Sequence, residues 1–164
     1  MSTPSFRDLE RPRVLIVALS GIGNLLMASP LFRALKDANP TAELDLLVAS
    51  RGTKSVIEAN SRIRRVFVGS PKPSFSSARK LTRLLRRERY ALGIVTYPGL
   101  LITSAGLLFF SGIPDRIGHR YSWALLHNSG FLLTKSIPLL PLPPFAKATG
   151  GKPPFATPLR PASA

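Results

Sequence analysis

The apolar positions of this chain fall into short runs that alternate with amphipathic segments. Four short segments carry apolar residues in runs or at alternating positions, which predicts strands that are largely buried. These segments are residues 13–19, 43–49, 63–68 and 92–96. Four other segments carry apolar residues at helical spacing and predict helices. These segments are residues 24–38, 54–59, 76–90 and 101–111. The alternation predicts an α/β fold, a Rossmann-like open and mostly parallel sheet with helices on both faces.

Local signals refine two of the predicted helices. The first is expected to break or kink near Ser29-Pro30, or Pro30 starts a new helical segment with Ser29 as its cap. Ser76 or Ser77 is expected to cap the helix over 76–90.

Residues 92–114 contain no charged side chain, which raises the alternative of a membrane-spanning segment. Pro98-Gly99 divides that stretch into two parts that are each too short to span, so we favour a buried strand and helix.

The first strand leads into Ser20-Gly21-Ile22-Gly23-Asn24, a glycine turn that opens a helix. In open α/β sheets, ligands bind at the carboxyl ends of the strands. The turn matches neither common phosphate motif, because Leu26 stands where G-x-G-x-x-G needs a third small residue and no Walker A string occurs. Two interpretations remain, a structural turn without a ligand and a turn whose backbone amides face a polar or anionic ligand.

Several motifs in the same order resemble one enzyme family. An apolar strand is followed by Gly21-Ile22-Gly23-Asn24 and by a helix that contains Ser29-Pro30; residues 89–92 then lead into a strand, and 111–119 read SGIPDRIGH. Over about residues 13–136, this pattern resembles the amino-terminal domain of the family nine glycosyltransferases, the ADP-heptose:lipopolysaccharide heptosyltransferases and their relatives. The resemblance implies the acceptor-side half of a GT-B enzyme, which transfers a sugar from a nucleotide-sugar to a lipopolysaccharide-like or other glycan acceptor.

The resemblance also implies site residues, but it leaves the general base unassigned. The residues implied to bind the acceptor include four of the glycine turn: Ser20, Gly21, Gly23 and Asn24. They also include three basic residues that would contact phosphate or carboxylate: Arg116, His119 and Arg120. Asn24 stands where heptosyltransferases carry the suspected aspartate base, and a neutral amide cannot take the proton. Asp115 is the only acid beside the three basic residues Arg116, His119 and Arg120. The chain has no metal-ligand spacing and implies no cofactor.

Composition adds a strong positive charge. The net charge is +15, and between residues 62 and 89 ten basic residues face one acid, Glu88. This segment is interpreted as a solvated face or as a contact for an anionic membrane, lipopolysaccharide phosphate or a partner protein. Nucleic acid is disfavoured because only two aromatic residues, Phe67 and Phe75, lie among the ten basic ones. The alternative function is therefore a non-catalytic basic binding module.

The ends of the chain differ in composition from its middle. We expect a flexible leader over residues 1–12, a domain over 13–136, and a disordered tail over 137–164, which holds half of the sixteen prolines. The start lacks a secretory signal and the chain has no cysteine, so we expect a cytoplasmic protein, peripheral at the inner face of the cytoplasmic membrane if it contacts lipid. Family members continue into a second α/β domain with most of the nucleotide-sugar site. We expect this chain to bind donor only if such a domain is supplied, and to be inactive alone.

Overall fold

The computed structural model describes residues 6–70, 72–96, 101–120 and 130–138. Six strands form one sheet: β1 (Arg13–Ala18), β2 (Glu43–Val48), β3 (Ile63–Val68), β4 (Leu92–Val95), β5 (Asp115–Arg120) and β6 (Lys135–Pro138). Five α-helices connect or flank them: α1 (Ile22–Met27), α2 (Ser29–Ala38), α3 (Arg51–Ile57), α4 (Phe75–Arg87) and α5 (Leu101–Phe110). None of the helices in these ranges is long and apolar enough to cross a membrane.

The sheet is open and parallel, in the order β3-β2-β1-β4-β5-β6. Its two faces bury separate cores, because alternate residues of a strand point to opposite sides. On the first face, Ile16 packs with side chains of α1, α2 and α3, such as Leu25 and Phe32. On the second face, Leu15 packs with α4 and α5 through Leu85 and Leu108. The predicted Rossmann-like sheet with helices on both faces is therefore confirmed.

The helices follow the sequence pattern, with shifted starts. The predicted break near Ser29-Pro30 is present, but Ala28 is the N-cap of α2 and supplies no side-chain bond, so Ser29 is not the cap. Helix α3 begins earlier than predicted, because the Ser50 hydroxyl accepts the amide of Thr53. Helix α4 begins at Phe75 for the same reason, since Ser74 accepts the amide of Ser77; neither Ser76 nor Ser77 is the N-cap.

The structure differs from the sequence prediction at both ends of the domain. Residues 6–12 of the predicted leader are held in place: Phe6–Asp8 forms a 3-10 helix, Phe6 packs on the first core, and Asn39 donates to the carbonyls of Phe6 and Leu9. The tail was predicted to start at residue 137, but Ile137 and Pro138 belong to β6. Residues 139–164, the rest of the predicted tail, lie outside the described residues.

Candidate functional site

The glycine turn lies at the switch point of the sheet. After β1 the chain builds β2 and β3 on one side, and from β4 onward it builds on the other side. The crevice outside the carboxyl ends of β1 and β4 is where such sheets bind ligands. Ser20 to Asn24 follow β1 directly, and Thr96 follows β4, where its amide and hydroxyl both donate to the carbonyl of Val17. The turn singled out in the sequence is therefore at the expected ligand crevice.

The two glycines of the turn keep space open rather than permit an unusual backbone. Gly21 is the N-cap of α1 with φ −65° and ψ 163°, an extended conformation that any residue adopts. A Cβ added at Gly21 or at Gly23 would meet nothing within 4 Å. Both residues are exposed. A ligand can therefore approach the backbone closely at this turn, where side chains would otherwise project.

Ser20 and Asn24 offer polar groups at the same turn. The Ser20 hydroxyl is buried and has no hydrogen-bond partner among the described residues. A buried hydroxyl without a partner loses its hydration with no compensation, so it is a ready contact for a polar ligand. The half-buried side chain of Asn24 has no hydrogen-bond partner within the described ranges, but its backbone amide is occupied by the carbonyl of Gly21 at 3.1 Å.

His119 lies near the same edge of the sheet. It is the fifth residue of β5, close to the carboxyl end of the strand, and β4 separates β5 from β1, which puts it roughly 10 Å from β1 across the sheet. Ile117, two residues earlier, packs on the first core with Leu25 of α1, so His119 shares the face that carries α1. His119 is half-buried, and burial lowers the pKa of its imidazole, which favours the neutral form. Arg120, the last residue of β5, follows it at this edge.

Arg116 is not brought to the turn. Its guanidinium donates to the carbonyls of Ile113 and Pro114, which precede β5, and to that of Leu132 at 2.6 Å. The guanidinium also stacks over the ring of Phe109 in α5, 5.4 Å from the centroid. Arg116 therefore joins α5 and the start of β5 on the second face, toward the amino ends of the strands. The segment 115–120, which is not among the predicted strands, forms strand β5.

The acidic residues are absent from the candidate crevice. All eight lie before β1, in the first half of a strand, or in or just after the last turn of a helix: Asp8, Glu10, Asp37, Glu43, Asp45, Glu58, Glu88 and Asp115. None of the five described α-helices has an acidic residue in its first turn. Asp115 begins β5 and so lies at the end of that strand away from the crevice. The crevice edge therefore offers no carboxylate base from this chain and does not repel an anionic ligand.

Several of these acids form an ionic network toward the opposite edge. The carboxylate of Asp45 is fully buried and accepts from Arg64 at 2.9 Å and from the Tyr90 hydroxyl at 2.6 Å. Arg64 also reaches Glu88 at 3.0 Å and Glu43 at 3.4 Å. The network joins β2, β3 and the end of α4, and it has a structural role. Sequence reasoning missed it, although Glu43-x-Asp45 and Arg64-Arg65 stand early in two adjacent strands.

Comparisons with known proteins place this fold. No family model and no curated protein sequence matches the chain. The E. coli heptosyltransferase WaaC, solved with ADP-2-deoxy-2-fluoro heptose, aligns with a TM-score of 0.64 and 19% identity over 88% of this chain and 50% of that one. A family nine glycosyl transferase from Veillonella parvula DSM 2008 aligns with a TM-score of 0.56 and 19% identity over 68% and 33%. Acinetobacter baumannii MurG aligns with a TM-score of 0.61 and 10% identity, over 79% of this chain and 42% of that one.

The three proteins share the architecture of this chain at low sequence identity. The chain spans half the length, or less, of each of them, and the match is to their amino-terminal part. Likeness at such identities establishes the fold alone. The resemblance to family nine glycosyltransferases that the sequence motifs indicate is therefore confirmed at the level of the fold, and this chain has the fold of an amino-terminal GT-B glycosyltransferase domain.

Proposed function

We propose that this chain is the acceptor-binding half of a two-domain glycosyltransferase. The complete enzyme transfers a sugar, heptose in our proposal, from a nucleotide-sugar to a lipopolysaccharide-like acceptor. Such an acceptor is built at the inner face of the cytoplasmic membrane, and the proposal locates the chain there. The observation that carries it is the glycine turn at the switch point, where Gly21 and Gly23 leave the backbone open and Ser20 holds a buried hydroxyl without a partner among the described residues.

We also propose that this chain alone does not catalyse sugar transfer. The distribution of its acidic residues supports this part of the proposal. Sugar transfer needs a base for the acceptor hydroxyl and stabilisation of the departing diphosphate. The crevice edge has no carboxylate, and Asn24 is neutral. His119 is the one imidazole described near this edge, and its neutral form could accept a proton, but β4 separates its strand from β1, so it lies roughly 10 Å from β1 across the sheet. The groups that bind the nucleotide and stabilise its diphosphate would come from a second domain or from a partner chain.

Binding of a water-soluble acceptor tests the assignment. The probe is a de-acylated lipopolysaccharide core oligosaccharide, titrated calorimetrically against the chain. Gly23→Val fills the open space at the turn and is expected to weaken binding at least tenfold. Gly106→Val is the matched control, because Gly106 also lies in a helix and a Cβ there also meets nothing within 4 Å, but its helix α5 is on the other face. Equal affinity of both variants and the unchanged chain would contradict the site.

An activity assay tests the proposed inactivity of the chain alone. The purified chain is incubated with ADP-heptose and acceptor, and product is followed by mass spectrometry. No transfer is expected, while acceptor binding persists. Sugar transfer by the chain alone would overturn the proposed inactivity and leave the binding site in place. The alternative, a non-catalytic basic module, predicts that the oligosaccharide does not bind at the turn and that binding depends on the basic segment of residues 62–89.

A further inference from the structure

Helices α4 and α5 enclose a groove on the second face of the sheet. One part has a volume of ≈ 570 Å³ and is lined by Phe75, Arg79, Arg83, Arg86 and Phe110, among others. A second part of ≈ 240 Å³ shares Ala78, Thr82 and Phe110 with the first and continues along aliphatic side chains. These include Leu19, Leu81, Ile102 and Leu107. The two parts therefore adjoin, with arginines along one side and a lining that is mostly apolar elsewhere.

A hydrogen bond joins the two helices beside the groove. The guanidinium of Arg86 donates to the carbonyl of Phe110 at 2.8 Å, which joins the end of α4 to the end of α5. Phe110 packs edge-to-face on Phe109, with ring centroids 5.4 Å apart. A preformed surface loses less conformational entropy when a partner binds.

The charge along the groove is of one sign. Helix α4 carries five basic residues and no acid: Arg79, Lys80, Arg83, Arg86 and Arg87. Glu88, which follows the helix, is occupied by Arg64 and Arg65 at 3.0 and 2.7 Å and so does not neutralise them. Arg79 and Arg83 are exposed and make no hydrogen bond or ion pair within the described ranges. This surface attracts an anionic partner.

The same surface exposes large apolar side chains. Phe75 is 85% exposed, Phe110 63% and Ile102 52%. Helix α5 has no charged residue, so the apolar side chains stand next to the arginines of α4 without intervening acids. A large apolar side chain is less stable in water than in an apolar environment, so three of them on one surface favour an apolar partner.

We propose that this surface, the α4–α5 surface (Phe75, Arg79, Arg83, Arg86, Ile102 and Phe110), docks on an anionic phospholipid bilayer. The arginines would lie at the level of the phosphates, and the phenylalanines and isoleucine at the acyl boundary, the arrangement by which amphipathic surfaces bind membranes. Single-stranded nucleic acid fits less well, because much of the groove's lining is aliphatic and only two aromatic rings, those of Phe75 and Phe110, line it for bases to stack on. The proposal rests on α4 and α5 and is independent of acceptor binding at the glycine turn.

Vesicle co-sedimentation of the whole chain tests the proposal. Vesicles of phosphatidylcholine with phosphatidylglycerol are expected to bind the chain, vesicles of phosphatidylcholine alone to bind it much more weakly, and salt to reduce the binding. Arg79→Glu with Arg83→Glu should weaken binding at least about tenfold, because each cationic side chain near an anionic surface contributes strongly. The control is Arg33→Glu with Arg51→Glu, which lowers the net charge equally but lies in α2 and α3 on the first face.

A second pair of variants tests the apolar contact. Phe75→Ser should weaken vesicle binding severalfold, and Met27→Ser should not, although Met27 in α1 is 80% exposed and comparable in size. Circular dichroism and thermal unfolding confirm that each variant folds. The proposal is wrong if both charge-reversed pairs lose the same affinity, or if neutral and anionic vesicles bind equally. Retention of a single-stranded oligonucleotide without vesicle binding would assign the surface to nucleic acid instead.

Discussion

The hydroxyl of Tyr90 donates to the carboxylate of Asp45 at 2.6 Å, and both residues are buried. The contact joins the segment before β4 to the middle of β2, two strands that are not neighbours in the sheet. Arg64 in β3 completes the arrangement from the other side of the carboxylate. An anion buried among two donors stabilises the fold only while both donors remain, so this network is where single changes should act most strongly.

Removal of the Tyr90 hydroxyl should cost stability and change the response to alkali. We expect Tyr90→Phe to lower the free energy of unfolding by about 1–3 kcal/mol, because a buried hydrogen bond to a charged acceptor is lost. Burial, reinforced by Asp45, raises the pKa of Tyr90 above its ordinary value of 10.0. Its contribution is thus fully present below pH 10 and is lost as the pH rises toward the raised pKa.

Urea unfolding at a series of pH values measures both effects. The unchanged chain should lose stability above pH 10, and Tyr90→Phe should lose less over the same interval. Tyr121→Phe, the same change elsewhere in the sequence, is the control. Identical pH profiles for Tyr90→Phe and the unchanged chain would contradict the role of the phenol.

Among the partly exposed residues of the network, Arg64 is expected to cause the largest loss of stability when it is substituted. Arg64→Ala leaves the Asp45 carboxylate buried with Tyr90 as its remaining donor, and we expect a loss of about 3–5 kcal/mol. Arg62→Ala is the control, because Arg62 is exposed and only its backbone amide is hydrogen-bonded. Asp45→Asn in the Arg64→Ala background should recover part of the loss, since it removes the buried charge. A further loss in that double variant would contradict the explanation.

Acid should weaken the fold through Glu43 and Glu88. Burial by itself raises the pKa of each carboxyl, but neighbouring arginines outweigh this effect and hold the pKa below 4.5. The arginines are Arg13 and Arg64 at Glu43, and Arg64 and Arg65 at Glu88. The stability they contribute is present above pH 4.5 and is lost as the pH falls through the lowered values. Glu88→Gln should flatten the fall in stability below pH 4.5. Glu58→Gln, at the exposed end of α3, should leave it unchanged, and an equal effect of both changes would contradict this assignment.

The elements that the sequence predicted are those whose pattern comes from burial. Strands β1 and β2 are buried on both faces, and their apolar runs reflect that directly. Strand β5 was missed because its sequence, DRIGHR, is mostly polar: Arg116 turns back to backbone carbonyls, and His119 is only half-buried. Strand β6 has four residues and ends at Pro138, so it has neither a long run nor an alternation.

The sequence predicts the position of the glycine turn, but not the features of the candidate crevice that depend on several elements. The turn from Ser20 to Asn24 is local, so its position after β1 follows from the strand alone. Arg116 and His119 are three residues apart in sequence, but in a strand this spacing places them on opposite faces of the sheet. The absence of acids from the crevice depends on how all the strands and helices are oriented, which no single segment of the sequence shows.

His119 should titrate below its ordinary range. Burial lowers the pKa of the imidazole from 6.5, so the neutral form is favoured in the folded chain and protonation opposes folding. Stability should consequently fall as the pH drops below 6.5. NMR titration of the imidazole protons measures the midpoint, with a His127→Gln variant to assign the signals, since the chain has two histidines. A midpoint at or above 6.5 would contradict the burial seen for His119.

The packing of α5 on β4 depends on the absence of a side chain at Gly93. A Cβ at this position would lie 2.8 Å from Cδ2 of Leu108, which is fully buried in the second core. We expect Gly93→Ala to cost about 1–3 kcal/mol, because the core must shift to admit the methyl group. Gly106→Ala in α5 is the control: its Cβ meets nothing within 4 Å, and alanine in a helix should raise stability by about 0.5–1 kcal/mol.

A double-mutant cycle separates overpacking at Gly93 from other effects. In a Leu108→Val background, where the side chain is shorter, Gly93→Ala should cost clearly less than in the unchanged chain, and urea unfolding measures the four free energies. Leu85→Val is the comparison, because Leu85 is fully buried in the same core but is absent from the three nearest atoms to a Cβ at Gly93. Additive costs in the cycle with Leu108 would mean that the close approach of α5 to β4 is not what requires glycine at this position.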